Sequence, residues 1–204
     1  LSSEVGDVHE RIKGSISELF ASNPEFNLDL QSEAIDLERL LASLRPPGNS
    51  LGAEITAQGP VELTAEAQGN LDRWAASARV GLRAARITIG SVLKKPSGRE
   101  ARIDLAARGA GASVELKELT LRLPPVSVRV AGSFAGERMQ LSGRATVAPN
   151  ALEHLAALSP ELEAAVPAGV AIEGPLDLRF AVYGTFNAPS LAVDVDLARN
   201  ALRF

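Results

Sequence analysis

The feature that most constrains this chain is a period of two in its apolar residues, sustained over most of its length. Phe26, Leu28 and Leu30 alternate with Asn27 and Asp29, and Val61, Leu63, Ala65 and Ala67 alternate with Glu62, Thr64, Glu66 and Gln68. The same pattern runs through Val80 and Leu82, through Ile103 and Leu105, and through Val126, Val128 and Val130. It returns in Met139, Leu141, Ala145 and Val147, in Leu176, Leu178, Phe180 and Val182, and in Leu191, Val193, Val195 and Leu197. Successive side chains on a strand point to opposite faces, so each segment has one apolar and one solvated face. This is the pattern of antiparallel sheet covered on a single side. The expected fold is mainly β: an elongated, curved antiparallel sheet, as an open groove or a partly closed barrel or sandwich, with two or three short helices.

Two segments change phase. Val80 and Leu82 are even-numbered and Ile87 and Ile89 odd; Val114 and Leu116 are even and Leu119, Leu121 and Leu123 odd. A bulge or tight turn must restore the apolar face at each place. Turn signals stand at Gly59-Pro60, Gly69-Asn70, Pro96-Ser97-Gly98, Pro124-Pro125, Gly174-Pro175 and Gly184. The connections are short, so sequential strands are expected to pair as a meander. Asp36 is placed to cap a helix over Leu37 to Leu44 that stops at Pro46-Pro47. Asn150 caps a similar segment carrying Leu155 and Leu158 and ending at Pro160, and a further short turn is expected from Glu161 to Val166. The first residues, with Val5, Val8, Ile12, Ile16 and Leu19, fit a helical spacing, although Ser15 to Phe20 also fits a strand.

Strand, capped segment and proline stop recur in the same order, Asp36 to Pro46 matching Asn150 to Pro160, and Pro24 to Leu30 matching Pro189 to Val195. The expectation is one β-rich segment, 1–204, of a longer repetitive protein, with approximate repeats 24–149 and 150–204, the second incomplete. A chain that starts at Leu1 and stops at Phe204 just after a strand pattern fits such a piece.

The chemistry this chain offers is sparse. It has no cysteine, which removes disulfides, thiolate metal sites and thiol catalysis. His9 and His154 are its two histidines and neither has a partner at ligand spacing, so no metal is expected. Gly109-Ala110-Gly111 lacks the third glycine of a dinucleotide loop and reads as a turn. Asp194 and Asp196 share a strand face, where a solvated surface explains them better than acid–base work. Lys94-Lys95 beside a turn reads as a polar loop tip. Neither an enzyme nor a cofactor is expected. With 21 basic and 25 acidic residues intermixed, the basic stripe of a nucleic-acid binder is missing. No stretch reaches the ~20 apolar residues of a membrane helix.

Roughly ten strands with one apolar face each would expose more apolar area than a monomer tolerates. The sheet must close on itself, stack on another protein segment, or curl into a trough for lipid tails. Aromatics are 4% of the chain, so the face is built from Ala, Val, Leu and Ile. Such a lining suits acyl chains, whose burial needs area and no directional partner. On this reading the lipid-binding residues are Val61, Leu63, Val80, Leu82, Ile103, Leu105, Val128, Val130, Met139, Leu141, Leu178, Phe180, Val193 and Val195. The alternative is a closed scaffolding β module of the cell envelope that binds no lipid.

Two stretches carry a family resemblance. Asn23-Pro24-Glu25-Phe26-Asn27-Leu28-Asp29-Leu30 running into Ala34-Ile35-Asp36-Leu37-Glu38-Arg39-Leu40-Leu41 resembles segments of the AsmA-like proteins. So does Tyr183-Gly184-Thr185-Phe186-Asn187-Ala188-Pro189-Ser190-Leu191. The resemblance implies a large envelope protein of Gram-negative bacteria, attached to the inner membrane by a segment absent from this chain and extending into the periplasm. It also implies a bridge-like β groove that conducts phospholipid and serves outer-membrane biogenesis. The partners implied are phospholipid or another acyl-chain lipid and neighbouring segments of the same longer chain.

Overall fold

In the computed structural model of the chain, residues 10–17, 22–38, 55–90, 93–149, 171–196 and 200–203 are described. Fifteen strands form there: β1 (Glu10–Ser17), β2 (Glu25–Asp36), β3 (Ile55–Gln58), β4 (Pro60–Gly69), β5 (Arg73–Gly81), β6 (Arg86–Ile89), β7 (Leu93–Lys95), β8 (Arg102–Ala110), β9 (Ser113–Leu123), β10 (Val126–Ala135), β11 (Arg138–Val147), β12 (Ala171–Glu173), β13 (Leu176–Thr185), β14 (Ala188–Asp196) and β15 (Ala201–Arg203). Ten of them make one antiparallel sheet in the order β1-β2-β4-β5-β8-β9-β10-β11-β13-β14. Among the described residues the sheet is not closed into a barrel, and β1 and β14 are its outermost strands. The expected antiparallel β architecture is thus the observed one, in its open form.

Among the described residues, helix is confined to Leu37 and Glu38. The Asp36 carboxylate accepts the Glu38 amide at 2.9 Å, the contact of an N-cap. The rest of that expected helix, both segments between Asn150 and Val166, and residues 1–9 lie outside the described residues. Ile12 and Ile16, read above as compatible with a helix, stand on β1.

Gly59-Pro60 and Gly174-Pro175 are not hairpin turns. At each, a short strand leaves a small sheet and continues as a long strand of the large one. β3 joins β6 and β7, and β12 joins β15, in small sheets at that end of the molecule. Both glycines have positive φ, 99° and 97°, where a Cβ is disfavoured, and the following proline needs no N–H. The pairing on either side of the two kinks is the same. Leu63 opposes Val80 as Leu178 opposes Val195, and Ala57 opposes Ile87 as Ile172 opposes Leu202.

The buried cluster sits at the first kink. Leu37, Ala57, Val61, Leu82, Ala85, Ala101 and Leu123 form it, with Ile35, Val80, Ile87, Leu93 and Ile103 packed around them. The chain turns out of the large sheet after Gly81, which accounts for the phase change between Leu82 and Ile87. That turn leaves carbonyls without ladder partners, and buried carbonyls need donors. Lys95 supplies them. It is only 2% exposed, and its Nζ donates to the carbonyls of Ala85 at 2.6 Å, Pro96 at 3.1 Å and Arg83 at 3.4 Å. Lys95 is therefore a buried structural cation and not the loop-tip residue expected. The Ser97 hydroxyl donates to the Ala84 carbonyl at 3.0 Å, completing the brace.

The second phase change is a β-bulge. Glu118 opposes Ala106 but Leu116 opposes Ala107, so Lys117 is the extra residue and both runs of leucines keep one face. A bulge not expected from the sequence lies in β2, where Ser32 opposes Leu63 but Ile35 opposes Val61.

Candidate functional site

Residues directly opposed across neighbouring strands share a face, so the registers assemble the apolar face row by row. One row runs Ile12, Leu30, Ala65, Ala78, Leu105, Leu119, Val130, Gly143, Phe180 and Val193, one residue from each of the ten strands. The next runs Gly14, Leu28, Ala67, Ala76, Ala107, Leu116, Gly132, Leu141, Val182 and Leu191. No charged or amide side chain interrupts either row. At 4.7–4.9 Å between strands, the face is roughly 45 Å wide if flattened.

Of the fourteen residues expected to line a lipid surface, twelve take their place on this face of the long strands. Val61 and Leu82 do not serve that role here, because they are fully packed in the buried cluster at the kink. Val80 and Ile103 border the cluster. Leu63, Val128, Val130, Met139, Leu141, Leu178 and Phe180 are partly covered, while Leu105, Val193 and Val195 are exposed. The same alternation identifies members not counted before: Ile12, Leu28, Leu30, Leu119 and Leu191.

Glycines let aromatic rings lie flat on this face. A Cβ at Gly109 would overlap the Trp74 indole, and one at Gly143 would overlap the Phe180 ring. Phe134 and Phe186 stack at 5.9 Å between centroids, with planes 5° apart. The result is a smooth apolar surface rather than a set of deep side-chain pockets. Polar residues enter it at one register position: Ser32, which is buried and whose hydroxyl has no hydrogen-bond partner among the described residues, and Glu10 opposite it on β1.

The opposite face is polar and laced across strands by ion pairs. Arg79 Nε meets Asp104 at 2.9 Å, as does Arg102 Nε. Arg108 and Lys117 both meet Glu115, Arg129 meets Glu118 at 3.3 Å, and Arg144 meets Asp177. The hydrogen bond from Arg79 is the main influence holding the Asp104 carboxyl below the usual range, and Lys117 followed by Arg108 does the same for Glu115. The Arg79, Arg108, Arg129 and Arg144 pairs tie neighbouring strands together, while Arg102 and Lys117 meet carboxylates on their own strands. Asp194 stands in register with Arg179, a cross-strand charge match rather than a carboxylate dyad.

A hollow of about 780 Å³ opens on this polar face, lined among others by Asn27, Gln68, Arg73, Arg108 and Glu115. It continues into a second one beside Asp29, Glu66, Ser77 and Lys117. Acidic and amide groups come from β2 and β4 and, in Glu115, from β9; basic groups come from β5, β8 and β9. Among the described residues no cluster of His, Asp or Glu could hold a metal, and both histidines fall outside those residues. No described helix is long and apolar enough to cross a membrane. The chain matches no protein-family model, no curated protein and no solved structure.

Proposed function

We propose that this chain is a lipid-carrying segment of an AsmA-like envelope protein, with acyl chains lying along the apolar face of the ten-strand sheet. The observation that carries the reading is the unbroken apolar rows, part of whose residues face solvent, backed by a polar, ion-paired face. Acyl burial contributes about 0.8 kcal/mol per CH₂ and requires no directional partner, which suits a smooth aliphatic surface with rings laid flat. Headgroups would stay in water at the rim. The process is passive: the face lowers the cost of an acyl chain outside a bilayer, and direction comes from elsewhere. In this proposal the segment is periplasmic, joined to the inner membrane through a part of the protein outside this chain, and contributes to phospholipid transport for outer-membrane biogenesis. The open order of the strands favours this reading over a closed, lipid-free scaffolding module.

The test is photo-crosslinking in cells with a photoreactive residue at Val130 or at Arg129, adjacent positions on opposite faces of β10. Phospholipid attached at 130 and not at 129 is the expected result. Lipid at neither position, with the protein present and folded, would remove the lipid reading.

A further inference from the structure

The apolar face has two unlike ends. At the end where the hairpin turns lie, one more row crosses the sheet, a register step beyond Leu28 and Leu116. It carries Ile16, Phe26, Trp74, Val114, Phe134 and Met139, with glycine or proline on the other four strands. Three of the described aromatic residues stand in this row. Phe186, 56% exposed at the turn after β13, stacks on Phe134 and carries the aromatic surface outward. Of the other two described, Phe180 lies mid-face and Tyr183 on the opposite face. Beyond the row the turns are polar and tied to one another. The Asn23 side-chain amide donates to the Asp72 carboxylate at 2.8 Å, the Leu71 amide to the Asn23 side chain at 2.9 Å, and the Gly111 amide to the Asp72 carbonyl at 2.8 Å.

The end at the kinks is built differently. Its last row carries Ile35, Val61, Leu123, Val126, Val147 and Leu176, all aliphatic. Val61, Leu123 and Val147 are buried there.

We propose that a lipid lies on this face in one orientation, with its carboxyl or ester end at the aromatic row and its acyl chain running along the strands toward the kinks. The proposal rests on the lipid reading above and adds a direction to it. A ring with an apolar body and a polar tip suits the boundary between hydrocarbon and water. The indole N–H of Trp74 is a donor that a carboxyl or ester oxygen accepts, and the aliphatic row offers none. A headgroup at the kinks would lose water against apolar side chains and gain no partner. On β4 the two rows are Gly69 and Val61, about 27 Å apart at roughly 3.4 Å per residue. One leaflet's acyl region, half of the ~30 Å bilayer core, fits within that span.

Trp74 is the single tryptophan of the chain and so reports its own row. The probes are stearic acids bearing a nitroxide at carbon 5 or at carbon 16, each at equal occupancy as set by displacement of a fluorescent fatty acid. The carbon-5 label should quench Trp74 at least twofold more strongly than the carbon-16 label. Val195 lies in the row of Leu178 near the second kink and is 47% exposed. In a Trp74→Phe, Val195→Trp chain, shown to be folded by circular dichroism, the order should reverse. Bound acids that quench Trp74 equally, or more strongly from carbon 16, would overturn the orientation and leave the lipid reading standing. The same order in both chains would also overturn it. Failure of either acid to displace the fluorescent one, or of that one to bind, would remove the lipid reading and the orientation with it.

Discussion

Gly143 on β11 lies where the Phe180 ring crosses from β13, and a Cβ there would also come within 2.8 Å of the Arg129 carbonyl oxygen. Overfilling of this kind costs about 1–3 kcal/mol. Gly143→Ala is therefore expected to lower stability by that amount in urea unfolding, and Phe180→Ala in the same chain should recover part of it, since the ring is one of the two obstacles. Lys95 makes a different prediction at the same scale. Burial, reinforced by the nearby Arg99 charge, holds its amine below the ordinary lysine value of 10.5. In the pH window just under 10.5 the unfolded chain thus binds more protons at this site than the folded one, so stability rises with pH there. The rise should be present in the unsubstituted chain and missing in Lys95→Met, as read by denaturant midpoints across that window. An equal rise in both would remove the assignment to Lys95.

Among the elements, β9 shows how the strand pattern encodes geometry. Its leucines change parity between Leu116 and Leu119, and the structure absorbs the change by giving one extra residue to a bulge at Lys117. Deleting Lys117 restores plain alternation, so the shortened strand keeps its leucines on the apolar face. Cooperative unfolding should survive, with a midpoint only modestly lower. Deleting Arg129 from β10, which pairs without irregularity along β11, throws Val126 and Val128 to the opposite face from Val130. That chain should lose cooperative unfolding. The contrast, measured by thermal melts, fails if the two deletions behave alike. The same parity reading made nine of the ten strands of the large sheet and their faces legible in advance; β1 was not among them, because Val5, Val8, Ile12 and Ile16 also fit a helical spacing. It did not reveal that Gly59-Pro60 and Gly174-Pro175 transfer a strand between sheets, because a Gly-Pro pair signals a change of direction and not which partner follows. The bulge in β2 was hidden as well: Ala34 is neutral in either phase, and Asp36 gave a helix-cap signal where the strand was still running. Lys95 could not be told from Lys94, since its burial depends on carbonyls freed by a turn ten residues earlier in the chain.

For the whole molecule, the decisive property is the difference between the two faces of one sheet. Adjacent residues on β8 test it with the least change in everything else. Leu105 is exposed on the apolar face, and Ala106 lines a hollow on the polar one. A carboxylate at 105 would sit beneath any acyl chain and lose its solvation when the chain lies down, whereas one at 106 remains among charged neighbours. If the apolar face carries lipid, Leu105→Glu should weaken binding of a fluorescent fatty acid at least tenfold, about 1.4 kcal/mol, while Ala106→Glu leaves it within about twofold. Melting temperatures of the two variants guard against mistaking unfolding for lost binding. Equal weakening by both, with both folded, would place the fatty acid on neither face in particular, and tighter loss at 106 would move the site to the polar hollow. The expected asymmetry follows from the architecture alone: ten strands contribute one residue each to every row, so a single charge on the apolar side interrupts a surface that is otherwise continuous from β1 to β14.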